Sequence, residues 1–278
     1  MAEMVGRAEP RSQHAWWQVL VTGIVLFLVG IAVLILTRNP GLIPAVIMLG
    51  NFTVPVAFVI FFFERQHLSR LNLPDMMRAF VLGGLLGVFA AGLVEPVFIR
   101  RLDILTAFVV GLIEELAKII GIIVVARHRP HNSELDGLLL GAAAGMGFAA
   151  LESTGYAFTA FLVSGGSLSA AVGVSLLRGF LAPFGHGTWT AIFASVLFRE
   201  SAPGHYHINR KVIGAYLLVA ILHGLWDGLP GFISLFITGG PDIVIAELLV
   251  AVTSLIILAV RWRDAIRREQ KVPEQAPA

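Results

Sequence analysis

Glu114, Glu115 and Lys118 form an E-E-x-x-K run, Glu152 closes an F-x-x-x-E run begun by Phe148, and His186, His223 and Asp227 follow in apolar surroundings. Carboxylates and imidazoles in a partly dry site support two kinds of chemistry. One is hydrolysis, in which a glutamate whose proton affinity is raised by burial takes a proton from water while histidines hold the oxyanion. The other is metal or proton handling, with His and Glu as ligands or relay groups. Other chemistries are excluded by residue type. The chain has no cysteine, so thiolate zinc sites, disulfides and cysteine nucleophiles are absent. It has no G-x-S-x-G elbow for a serine nucleophile and no H-E-x-x-H zinc helix.

Spacing refines the set. Glu114 and Lys118 are four apart, acid before base, on one helical face. Glu115 is turned by about 100°, so Lys118 is expected to offset Glu114 while Glu115 faces a cavity as the general base. His223 and Asp227 are also four apart, which lets the carboxylate orient the imidazole or share a ligand with it. Glu115, Glu152, His186 and His223 are the candidate metal ligands, with zinc the candidate ion. Ordinary structural readings compete. Glu114–Lys118 alone is a plausible ion pair, and a lone His can bond a carbonyl. Arg178 reads as an interfacial, snorkelling side chain. Glu247 reads as structural, and Glu95, beside Pro96, as solvated.

The elements that must position these groups are membrane helices. Of the 278 residues 57% are hydrophobic and 14% charged, against about 25% charged in soluble domains. Mean hydropathy is +0.84. Apolar runs long enough to cross a bilayer core of about 30 Å recur throughout, and in lipid such runs must be helices. The expected fold is all-α, a polytopic bundle of eight spans at 17–36, 41–63, 77–99, 104–126, 135–163, 170–198, 211–237 and 241–261. It forms a single integral membrane domain over 1–278, with the chemistry in 104–237. A Gly-Pro disruption is expected at 228–231. With the N-terminus inside, cytoplasmic segments hold 15 Lys and Arg and outer loops hold 3, which puts both termini in the cytoplasm. The basic residues are thus explained by topology, and nucleic acid is not an expected partner. The tail 273–278 reads as solvated.

Depth now separates the central set from scattered charge. Tracked along their spans, Glu114, Glu115, Glu152, His186, His223 and Asp227 all fall near mid-membrane, on four helices. There each charge costs about 2.5–3.5 kcal/mol. They are therefore expected to line one polar cavity. Gly141, Gly145 and Gly147 with Ala142, Ala143 and Ala144 suit a helix packed at the bundle centre.

The ordered set E-E-x-x-K, F-x-x-x-E, H-G-x-W and H-x-x-x-D resembles the PrsW family of intramembrane proteases. That family is distantly similar to the type II CAAX prenyl endopeptidases and bacteriocin-immunity-type membrane proteases. The resemblance covers the fourth to seventh spans. It implies cleavage of a membrane-anchored protein, such as an anti-sigma factor, at a paired-glutamate and histidine centre in the lipid bilayer of a bacterial cell membrane. Both metal-dependent and glutamate-type catalysis remain open at this point. The alternative from another class is a proton- or metal-coupled transporter or a non-catalytic membrane regulator. A transporter is expected to show paired broken helices in corresponding halves.

Overall fold

The computed structural model describes residues 14–271 apart from 66, 70, 102, 128–132, 203–204 and 234–240. The tail 273–278 and the counted Arg7, Arg11, Arg70 and Arg129 lie outside the described residues. Among the described residues eight helical rods follow one another. They are α1 (Ala15–Thr37), α2 (Ile43–Arg65), α3 and α4 joined through a π-helical turn (Leu73–Arg78 and Gly84–Phe98), α5 (Ile104–Ala126), α6 (Glu134–Val163), α7 and α8 joined through a 3₁₀ turn (Leu168–Leu181 and His186–Glu200), α9 (Arg210–Ile233) and α10 (Pro241–Glu269). Seven of these rods are long and apolar enough to cross a membrane. The remaining one, α5, carries the three charges of the E-E-x-x-K run. The chain is a multi-pass membrane protein, all-α among the described residues.

Local chemistry starts the functional helices. Asp103 accepts from the N–H groups of Leu105 and Thr106 at the head of α5, and Ser133 accepts from those of Leu135 and Asp136 at the head of α6. Both satisfy donors that a helix start leaves unpaired.

Helix α6 is the axis of the bundle: every residue from Glu134 to Ala150 is buried. Its Gly137 and Gly141 lie against the carbonyls of Ala194 and Thr190 on α8, where an added Cβ would stand 2.5 Å from oxygen, and Gly145 lies against that of His186. Any side chain there would hold the helices apart. Gly111 does the same between α5 and α9, 2.5 Å from the Ala220 carbonyl by the same measure. Small residues thus set two close helix pairs, α6 with α8 and α5 with α9. All four helices carry candidate site residues.

One end of the bundle is tied by aromatic and ionic contacts. Trp16 packs on Phe61 at 5.4 Å and Phe62 on Trp262 at 5.0 Å. Glu134 pairs with Arg261, whose Nε donates to Ser195 Oγ at 3.2 Å. The start of α1 and the end of α10 therefore lie at the same end.

The span expected at 170–198 is present as one long apolar rod, and it is broken within: α7 stops at Leu181, Ala182–Phe184 form a 3₁₀ turn, and α8 restarts at His186. Pro183 lacks an N–H and cannot continue the α ladder. Conversely, no break occurs at 228–231, because α9 runs through Pro230 to Ile233. Pro230 costs that helix the one backbone hydrogen bond its missing N–H would have made.

Candidate metal centre

The ammonium of Lys118 is the hub of the site. It donates to Glu114 Oε2 at 2.9 Å, to Glu115 Oε1 at 2.8 Å and to His186 Nδ1 at 2.9 Å. It also lies 3.9 Å over the Phe148 ring. The expected i,i+4 pair is present, but Glu115 does not turn away. Residues three apart also share a helical face, so one lysine holds both carboxylates. Glu115 accepts further from His223 Nδ1 at 3.0 Å and from Thr190 Oγ1 at 3.2 Å. It is fully buried, as is Lys118.

The two imidazoles meet across this hub with ring centroids 5.0 Å apart. Lysine can only donate, so His186 Nδ1 accepts and its Nε2–H donates to Glu152 Oε2 at 3.0 Å. His223 donates from Nδ1 to Glu115, so its Nε2 accepts in the neutral ring and donates in the protonated one. That nitrogen faces Glu114 Oε2 at 3.6 Å and Asp227 Oδ2 at 3.4 Å. Two carboxylates thus converge on this nitrogen, with Lys118 donating to Glu114 Oε2 from the other side, an acid-rich arrangement that suits a protonated ring or a bound cation. Glu114, His186 and His223 each offer a ligand atom, and these atoms lie within 4.8 Å of one another. The carboxylate in this group is Glu114; the expected candidates Glu115 and Glu152 lie outside it. Those two instead stand behind the imidazoles, one at each outer nitrogen. A carboxylate behind an imidazole fixes its tautomer and raises its basicity toward a ligand.

Charge supports the same fit. Four carboxylates (Glu114, Glu115, Glu152 and Asp227) oppose two cations, Lys118 and Arg178. That excess of acid can be met by a protonated imidazole or by a bound cation. Uncompensated charge in a low-dielectric interior is costly. The lone pair of His186 Nδ1 that would bind such an ion is the one Lys118 now takes, so ammonium and ion compete for one nitrogen.

The six expected residues are therefore brought together in one network of contacts, running from Asp227 through His223, Glu115, Lys118 and His186 to Glu152, with Glu114 joined to it at Lys118. Exposure is graded along it. The side chains of Glu114 and His223 are 6% and 2% exposed, and those of Glu152 and Asp227 are 18% and 28% exposed. The outer members are the more open.

Several participants were not singled out from sequence. Arg178, read as interfacial, donates to Glu152 Oε2 at 2.6 Å and to Ser153 Oγ at 3.1 Å. Trp189 stacks on His223 with centroids 4.8 Å apart and donates its indole N–H to Ser254 Oγ on α10 at 2.9 Å. The signal for Trp189 was the H-G-x-W run itself. Glu95, expected to be solvated, is half-buried beside Glu114, and its Oε1 is buried without a partner among the described residues. Glu247, read as structural, lines a cavity beside His186.

With this geometry in place, comparison with protein families matches residues 73–260 to a family described as PrsW family intramembrane metalloprotease. Comparisons with curated proteins and with solved structures found no match.

Proposed function

Because the chain belongs to the PrsW family of intramembrane metalloproteases, matched over residues 73–260, we propose that it hydrolyses a peptide bond of a membrane-anchored protein at the Glu114–His186–His223 centre. The observation carrying this reading is the convergence of those three ligand groups, with a carboxylate behind each imidazole. Family membership decides between the protease and the transporter.

Glu114, His186 and His223 would hold a zinc ion, since two imidazoles and a carboxylate with an open position form a catalytic zinc donor set. Such an ion, when bound, polarises the scissile carbonyl and acidifies water. The remaining work belongs to the chain. Glu115 and Glu152 orient the two imidazoles. Lys118 neutralises the glutamate pair, and Arg178 holds Glu152 in place.

Glu115 was the expected general base. Its oxygens are already engaged by three donors and it is sealed from water, so we assign it to orienting His223. Asp227 is the more open of the two carboxylates at the metal-facing nitrogen of His223. It takes the proton of the attacking water as the oxygen bonds to the carbonyl carbon. It then returns that proton to the amine as the C–N bond breaks.

The substrate class implied is a membrane-anchored protein, with an anti-sigma factor the one the resemblance suggests. The cytoplasmic membrane of a bacterium is the proposed location. The test uses purified protein in liposomes with a membrane-anchored peptide substrate and mass analysis of the products. The wild type should cleave within the membrane-embedded segment, and Glu114→Gln should not. A Glu114→Gln variant that cleaves at the wild-type rate would overturn the assignment.

A further inference from the structure

Beside the metal centre lies a cavity of about 110 Å³. Leu177 and Leu181 of α7, Ala182 of the 3₁₀ turn and Trp226 of α9 form its apolar wall, with Arg178 and Glu247 at its polar rim. His186 and Trp189 line it as well, so it opens directly onto the His186 imidazole. Its position follows from the helix break. Helix α7 packs on α2 and α6, whereas α10 packs on α9 and α8. The chain turns at Ala182–Phe184, and a seam is left between α7 on one side and α9 and α10 on the other. Leu177 is 58% exposed at this seam, so it faces lipid.

The size and chemistry of the cavity identify its occupant. A cavity of about 150 Å³ lined by apolar side chains binds benzene, so this slightly smaller one accepts a single side chain of medium size. Its rim is built for an extended backbone. Glu247 makes no hydrogen bond or ion pair among the described residues and can accept from a peptide N–H. Arg178 spends Nε on Ser153 and Nη2 on Glu152, which leaves Nη1 to donate to a peptide carbonyl. Acceptor and donor thus flank one apolar pocket. In lipid only a helical segment that has unwound exposes unpaired N–H and C=O groups.

We propose that this cavity is a substrate subsite, reached laterally through the seam between α7 and α10, that takes one medium-sized apolar side chain next to the scissile bond while Glu247 and Arg178 pair with the unwound backbone around it. This rests on the protease reading above. It adds what that reading leaves open: which segment is selected and by which residues.

The test is a side-chain swap across the pocket wall. A membrane-anchored substrate series in liposomes carries Ala, Val, Leu, Phe or Trp at each position flanking the scissile bond in turn. At one of these positions the wild type should prefer Val or Leu to Trp. One methylene in such a pocket is worth about 10–200-fold. Leu181→Trp fills the cavity and should lower the Leu-over-Ala ratio of kcat/KM at that position by about 10-fold or more. Leu181→Ala widens it and should raise the Phe-over-Leu ratio. Leu177→Trp, from the lipid-facing side, should act like Leu181→Trp and guards against a folding defect in the latter. Glu247→Leu should raise KM for the whole series without changing the ratios. Wild-type cleavage with ratios unmoved by all three leucine variants would overturn the subsite, as would variants that lower every substrate equally. Failure of the wild type to cleave any substrate would instead strike the protease reading itself.

Discussion

Replacing Glu115 by Gln separates the two roles open to that residue. The carboxylate accepts from Lys118, His223 and Thr190 at 2.8, 3.0 and 3.2 Å. Glutamine retains one acceptor oxygen and presents an amide N–H₂ to groups that need acceptors. Removing one partner of a buried ion pair costs about 3–5 kcal/mol. Lys118 keeps Glu114 at 2.9 Å, so the loss should fall at the lower end, about 3 kcal/mol. His223 loses the group that fixes its tautomer, and losses of that kind lower metal affinity about 10–100-fold. The assay is a competitive zinc titration of purified wild type and variant, followed by cleavage rates at saturating zinc. The expected result is weaker zinc binding by that factor, with most of the rate recovered at saturation. A deficit of about 10²–10⁴-fold that persists at saturating zinc, with unchanged affinity, would refute the reasoning and make Glu115 the base.

Other outcomes follow from the same geometry. Asp227→Asn should retain zinc but lower kcat by about 10²–10⁴-fold, measured on the liposome substrate; an unaffected kcat would remove Asp227 from the chemistry. Ser254→Ala leaves the buried indole N–H of Trp189 unpaired, which should cost about 1–3 kcal/mol in unfolding free energy. It should also weaken zinc binding through the ring stacked on His223, whereas a structural role confined to α10 would leave zinc affinity unchanged. Reporter fusions at Arg38 and Arg199 should report opposite sides of the membrane, with Arg199 in the cytoplasm; same-side reporters would contradict the charge bias.

Hydropathy made the eight rods legible because apolar length is a property of each segment by itself. The E-E-x-x-K and H-x-x-x-D spacings gave side chains sharing a face because helical period is local too. What a single helix does not encode is the direction of that face relative to its neighbours. Glu115 was therefore assigned to a cavity, when the reach of Lys118 to residues three and four positions back ties it into the sealed interior. The break at Pro183 lies within a run whose averaged hydropathy conceals it, and depth counted along an unbroken helix kept Arg178 at the interface. Trp189 and Ser254 act on His223 through stacking and one hydrogen bond between helices. No charge in the sequence marks that link. Glu95 and Glu247 stand near span ends, where a carboxylate ordinarily meets water, and it is the packing of α4 and α10 that turns them inward.

The central claim is that Glu114, His186 and His223 hold the ion on which proteolysis depends. Its most direct test is the zinc content of the purified chain, measured together with cleavage of a membrane-anchored substrate. The wild type should carry one zinc per chain, lose cleavage on chelation and regain it on zinc addition. Glu114→Gln and His223→Ala should each bind little zinc and stay inactive at the same concentration. Wild-type protein freed of metal that cleaves at the full rate would contradict the account.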